Sequence, residues 1–146
     1  MNALSLCYLG AGVFFLTGLS SGIWKYSGIL RSSEGVAPEY VNILHRASLL
    51  YSFACILLAK FVMLSTLGDT VELVAVASVI GFFAFAQLTY LIHALLGDTD
   101  NQFRRPYRLG RFPLPGALIH GSMILLIVGE LGGFSVLFWG YIRTLI

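Results

Sequence analysis

The sequence predicts an all-α membrane protein, a four-transmembrane-helix bundle formed by a single domain at residues 1–146. Of its 146 residues 58% are hydrophobic and only 11% are charged. The mean hydropathy of +0.86 lies well above that of soluble proteins. A helix needs about 20 mostly apolar residues to cross a bilayer. Four stretches are long enough, at residues 3–24, 47–67, 71–96 and 115–142.

The first span is predicted to remain in the mature chain. A cleavable signal peptide begins with positive charges, whereas here none precedes the span and Lys25 follows it. The connection from Lys25 to Tyr40 contains Gly35 and Pro38, which favour irregular structure. We therefore expect a loop with a short helical turn between the first two spans.

The remaining connections differ sharply in charge. The turn at residues 65–70 has no Lys or Arg, whereas the loop at residues 97–114 has four arginines. Successive spans run in opposite directions, so the first and third connections share one membrane face. Lys and Arg concentrate in cytoplasmic loops, which places this face in the cytoplasm and the N- and C-termini on the non-cytoplasmic side. A multi-pass protein of a bacterial inner membrane is expected.

Each of two spans contains a GxxxG pattern. Gly18 and Gly22 form one in the first span, and Gly129 and Gly133 form the other in the fourth. Small residues at this spacing let two helix backbones approach closely. The alternative is that these glycines only fill bundle contacts.

Two charged residues, Lys60 and Glu130, lie inside apolar spans. Burying a charge in a bilayer costs a few kcal/mol on insertion scales, so both need a partner or a role. At similar depth they would pair between the second and fourth helices. One alternative is that Lys60 extends towards the interface while Glu130 is protonated or bonded to a neighbour. The other is that the two residues form a proton or ligand site.

Three histidines are predicted within about 10 Å of the cytoplasmic interface, since His45, His93 and His120 lie near the ends of three different spans. Imidazole binds metal ions and haem iron, so a haem- or metal-binding protein is one alternative. Interfacial histidines bonded to backbone, phosphate or each other are the simpler interpretation.

Other features exclude several classes of protein. Cys7 and Cys55 lie inside spans and are expected to be small apolar residues without a disulfide. The net charge of +2, without a basic stripe interleaved with aromatics, predicts no nucleic-acid partner. Membrane lipids are expected partners, and the loop arginines suit lipid headgroups.

Two segments of the chain resemble the MAPEG family, the membrane-associated proteins of eicosanoid and glutathione metabolism. The second helix is expected to open with NILHRASLLYSF at residues 42–53. The third span ends within YLIHALLG at residues 90–97, before the arginine-rich loop. In that family the second helix typically has an Arg/His…Asn…Glu series, and the third has an Arg three residues before a His, followed by Gly. The match is divergent.

The divergence removes charged groups. His93 and Gly97 match the family pattern, but Ser48 stands in place of the Asn, Tyr51 in place of the Glu and Tyr90 in place of the Arg. A carboxylate and a guanidinium would bind the charged ends of glutathione. Serine and tyrosine donate hydrogen bonds without supplying that charge.

The resemblance implies a homotrimer with sites between neighbouring subunits near the cytoplasmic face. The protein would bind or transform a lipophilic small molecule there, with glutathione as its cofactor. An enzyme of transferase or isomerase type and a binder without catalysis both remain open, as does a non-catalytic subunit of a larger membrane complex. A tyrosine hydroxyl, including that of Tyr107, would stabilise a thiolate. The expected catalytic residues are Tyr51, Tyr90 and Arg104, and the expected cofactor-binding residues are His93, Arg105, Arg108 and Ser48.

Overall fold

The computed structural model describes all 146 residues as a bundle of four long helices. Each helix is long and apolar enough to cross a membrane, so the predicted helical, multi-pass membrane architecture is confirmed. A two-stranded antiparallel hairpin, which the sequence did not predict, lies between the last two helices. The elements are α1 (Ala3–Arg31), α2 (Glu39–Leu64), α3 (Asp69–Leu96), β1 (Arg108–Leu109), β2 (Phe112–Pro113) and α4 (Gly116–Ile142).

The first two helices continue beyond their apolar spans. α1 runs on to Arg31 and α2 already begins at Glu39, so the expected loop from Lys25 to Tyr40 shrinks to residues 32–38. The backbone keeps its helical hydrogen bonds in water until a residue interrupts them. Ser32 does so with extended φ and ψ, and Pro38 precedes the first turn of α2.

The GxxxG pattern of the first span marks a close crossing of α1 and α2. A Cβ atom on Gly18 would lie 2.7 Å from the Leu49 side chain and 3.3 Å from its backbone nitrogen. One turn later, a Cβ on Gly22 would lie 3.0 Å from the His45 ring. Both glycines therefore face α2, as the pattern predicts.

The pattern in the fourth span marks an equally close crossing of α4 and α3. A Cβ on Gly133 would lie 2.7 Å from the carbonyl oxygen of Ala75, and one on Gly129 would overlap the Phe82 ring. The Ser78 hydroxyl donates a hydrogen bond to the Gly129 carbonyl at 3.1 Å. These contacts fix the rotation of α4 about its axis.

The core belongs mainly to the first three helices. Its buried residues include Phe14 of α1, Val76 and Phe83 of α3, and the two cysteines, which are free as expected. Only 6% of the apolar window of α4 is buried, against 28–39% in the other helices. Much of α4 therefore presents an apolar surface outwards.

The connections gather at two ends of the bundle. The α2–α3 turn lies beside the end of α4, where the Thr66 N–H and hydroxyl each donate to the Gly140 carbonyl at 3.3 Å. At the opposite end, the Tyr40 hydroxyl accepts a hydrogen bond from the Gln102 N–H at 2.7 Å. The arginine-rich loop thus lies next to the start of α2.

Candidate functional site

An apolar cavity of about 230 Å³ opens between α3, α4 and the loop at residues 97–115. Eleven of its fifteen lining residues are hydrophobic, and Tyr90 is one of them. The four polar lining residues are Thr89, His93, Gln102 and Ser122. An apolar enclosure with few polar groups is typical of a site for a small lipophilic molecule.

His93 and Asp98 form a buried pair at the edge of this cavity. Gly97 has the left-handed conformation that ends α3, with φ of 56°, and this turn brings the Asp98 carboxylate back to the helix. Its Oδ1 lies 2.8 Å from Nδ1 of His93, and the two side chains are only 3% and 7% exposed. The other oxygen of Asp98 accepts the Gly110 N–H.

This environment shifts the ionisation of Asp98. Burial raises the pKa of its carboxyl, but the hydrogen bonds from His93 and the Gly110 N–H outweigh burial, and the pKa is lowered overall. The carboxylate faces Nδ1, which therefore carries a proton, and Nε2 makes no hydrogen bond within the chain.

One aromatic ring, that of Tyr40 at the start of α2, packs against His93. The Tyr40 ring lies 4.8 Å from the His93 ring, and its other neighbour is Tyr90 at 6.3 Å. Through its hydroxyl, Tyr40 also binds the loop backbone at Gln102. The cavity wall is thus tied to both α2 and the loop.

A polar hollow of about 330 Å³ without any hydrophobic lining residue adjoins the cavity. Arg104, Arg105 and Arg108 line it and are exposed. Arg104 pairs with Asp100 at 3.0 Å, while the other two make no ion pair. Gln102 lines both spaces, so the apolar cavity adjoins a charged hollow in which three arginines outnumber two carboxylates, those of Asp98 and Asp100.

Two of the expected site residues lie elsewhere. Tyr51 stacks on Phe83 at 4.1 Å with nearly parallel rings, within the core shared by α1, α2 and α3. Ser48 is buried and donates a hydrogen bond to the Gln87 side chain at 3.1 Å. Neither residue lines the cavity or the arginine-rich hollow. Of these four residues, only Tyr90 and His93 line the cavity, although the Tyr51 side chain lies within interaction range of Tyr90.

The three histidines have three separate partners. His45 Nδ1 lies 2.8 Å from the Gly18 carbonyl, and His120 Nε2 lies 3.0 Å from the Tyr107 hydroxyl, while His93 bonds to Asp98. No group of three or more His, Cys, Asp or Glu side chains is placed to hold one metal ion. The haem or metal alternative built on His45, His93 and His120 stays a prediction.

The expected ion pair between Lys60 and Glu130 is wrong. The neighbouring ring of Phe61 packs edge-on against Phe134, Phe138 and Tyr141, so Lys60 is level with the last turns of α4. Lys60 is exposed and makes no ion pair.

Sequence reasoning missed Asp98, Tyr40 and Gln102, which fix the cavity wall. One local signal pointed to Asp98, since a carboxylate directly after a helix-ending glycine can turn back to the last helical turn. The contact between Tyr40 and Gln102 spans 62 positions and has no local signal.

No family model, no curated protein and no solved structure matches this chain. The resemblance to the MAPEG family therefore stays a prediction from the residues that carry it.

Proposed function

We propose that this protein binds a lipophilic small molecule in the cavity between α3, α4 and the loop at residues 97–115. One observation carries the proposal: an apolar cavity that shares the lining residue Gln102 with a neighbouring hollow lined by three exposed arginines. The apolar body of the molecule would fill the cavity. An anionic end, or an anionic partner such as glutathione, would lie against the arginines.

Polar groups in the cavity would orient the bound molecule. Nε2 of His93 would accept a hydrogen bond, with the ring held by Asp98 and Tyr40. The hydroxyls of Thr89 and Ser122 bond to carbonyls of their own helices and retain lone pairs for a ligand donor. A few fixed polar groups in an apolar enclosure provide specificity.

The geometry also bears on the alternative of glutathione-dependent catalysis. A transferase or isomerase-like enzyme must stabilise a thiolate with a hydrogen-bond donor. Of the three tyrosines expected in this role, Tyr90 lines the cavity, whereas Tyr51 and Tyr107 do not. In a catalytic version of the proposal, Tyr90 would donate to the thiolate and Arg104, Arg105 and Arg108 would hold the carboxylates of glutathione.

The proposal is tested by titrating cis-parinaric acid, a fluorescent fatty acid, into the protein in lipid nanodiscs, with empty nanodiscs as baseline. Saturable binding that Ser122→Phe abolishes by filling the cavity would support it. Ser135→Phe is the matched control, since Ser135 is exposed on α4 and lies outside the cavity. Equal binding by both variants would contradict the proposal. Glutathione is then added to test whether the protein catalyses a glutathione-dependent reaction of the bound molecule.

We further propose a homotrimer in a bacterial inner membrane with both termini on the non-cytoplasmic side. Four apolar helices and the charge of the two longer connections support this topology. Native mass spectrometry of the purified protein measures the subunit number, and reporter fusions at each terminus measure the orientation. An absorption spectrum of the same sample tests the haem alternative.

A further inference from the structure

A second, separate space lies at mid-depth of the bundle, in a groove between α2, α3 and α4. It encloses about 350 Å³, and eight of its nine lining residues are hydrophobic. The ninth is Glu130, roughly 20 Å from either end of α4. Placing a carboxyl group at this depth of a membrane costs free energy, and such groups commonly pair with another group or mark a functional site.

The Glu130 carboxyl has no partner in the chain. Its Oε1 atom is buried and makes no hydrogen bond. No other charged or titratable side chain from any of the three helices lines the groove. Lys60, the one cation within the spans, is exposed and level with the last turns of α4.

The packing of α4 on α3 holds this carboxyl in the groove. Gly129 and Gly133 lie against α3, and the Gly129 carbonyl accepts the Ser78 hydroxyl. A rotation of α4 that moved Glu130 out into lipid would break both the glycine contacts and this hydrogen bond. The Glu130 carboxyl is therefore held in the groove, where no hydrogen-bond donor of the chain reaches it.

We propose that the groove binds a lipophilic amine, a molecule with an apolar body and one protonated amino group that pairs with Glu130. Charge complementarity selects this occupant, since Glu130 is the one ionisable side chain that lines the groove and its carboxylate would pair with a protonated amine. A cation bonded to a carboxylate in an apolar, water-poor site gains more than a neutral alcohol does. The groove volume lies in the range of small-molecule sites.

The test is a titration of dodecylamine against the protein in lipid nanodiscs, followed by native mass spectrometry and thermal unfolding. 1-Dodecanol, with the same chain and no charge, is the matched probe. We expect saturable amine binding that exceeds alcohol binding by at least about tenfold, as a charge-assisted hydrogen bond does. Equal binding of amine and alcohol would overturn the proposal.

Three variants distinguish binding in the groove from general partitioning of the amine into lipid. Glu130→Gln is expected to reduce dodecylamine binding to the level of the alcohol, and Glu34→Gln, which removes the same charge from an exposed connection, leaves it unchanged. Ala54→Phe fills the groove from α2 and keeps the carboxyl, so it tests the site even where Glu130→Gln folds poorly. Unchanged amine binding in Ala54→Phe would rule the groove out.

Discussion

Nδ1 of His93 lies 2.8 Å from the carboxylate of Asp98, across the turn that ends α3. The pair is almost fully shielded from water, and it joins the last turn of a membrane-spanning helix to the loop that follows. This hydrogen bond between residues five positions apart is therefore one of the contacts that fix the cavity wall, beside the bond from the Gln102 N–H to Tyr40.

Asp98→Asn is expected to lower the free energy of unfolding by ~1–3 kcal/mol, because it weakens a buried, charge-assisted bond. Thermal unfolding in detergent, followed by circular dichroism, measures the loss. Asp100→Asn is the control: the pair of Asp100 with Arg104 is more than 60% exposed on both sides, and its loss should cost no more than ~1 kcal/mol. Equal effects of the two changes would contradict this account.

The contribution of Asp98 should depend on pH in one direction. The folded-state pKa of this carboxyl is lowered, so its stabilisation is complete above the unfolded pKa of about 3.9 and disappears as pH falls through the folded value. The difference in unfolding temperature between wild type and Asp98→Asn is expected to shrink in acid. A difference that grows in acid would show that another group dominates.

Tyr40→Phe should loosen the loop without disturbing the bundle. The change removes the hydroxyl that accepts the Gln102 N–H at 2.7 Å, a bond worth ~1 kcal/mol. Hydrogen exchange at the Gln102 amide is expected to accelerate about fivefold, as read by mass spectrometry. Tyr26→Phe, at an exposed ring without a hydrogen bond, should leave the exchange rate unchanged.

Adjacent glycines on α4 should respond oppositely to alanine. At Gly133 the new Cβ would meet the Ala75 carbonyl at 2.7 Å, whereas at Gly132 nothing lies within 4 Å. Gly133→Ala is expected to destabilise the fold by ~1–3 kcal/mol through overpacking, and Gly132→Ala to be neutral or stabilising by up to ~1 kcal/mol. Unfolding titrations with sodium dodecyl sulfate compare the two, and similar curves would disprove the close crossing.

The arginine-rich hollow should control affinity for the anionic end of a ligand. Replacing Arg105 and Arg108 together by glutamine is expected to weaken cis-parinaric acid binding about fivefold at low salt, with a smaller effect at high salt because exposed charges are screened. Arg143→Gln, at the opposite end of α4, should change nothing. An equal effect of Arg143→Gln would indicate general attraction to the protein.

Hydropathy alone located all four helices, because the cost of bringing polar residues into a bilayer restricts the spans to long apolar runs. It placed the ends of α1 and α2 poorly. The helical backbone continues in water beyond the apolar layer, and Ser32 and Pro38 stop it for local reasons. The limits of a span are therefore set by the apolar layer of the membrane, whereas the limits of a helix are set by the residues that interrupt its backbone hydrogen bonds.

The sequence predicted only the part of the candidate site whose residues lie together at the end of one helix. Tyr90 and His93 lie three residues apart on α3 and share the cavity as expected. Tyr51 and Arg104 lie on separate elements, and their relation depends on helix rotation, which hydropathy does not report. Packing at the glycines sets that rotation, and it turns Tyr51 towards Phe83.

The sparse burial of α4 predicts how this helix would tolerate sequence change. Its buried residues are Gly133, Leu137 and Gly140, a single stripe along one side. Apolar exchanges at the exposed positions of α4 keep its solubility in lipid, whereas Phe134 packs against the core. In a saturation library those exposed positions would accept many residues, with intolerance at that stripe, Gly129, Glu130 and Phe134, whereas α3 would be restricted on several sides.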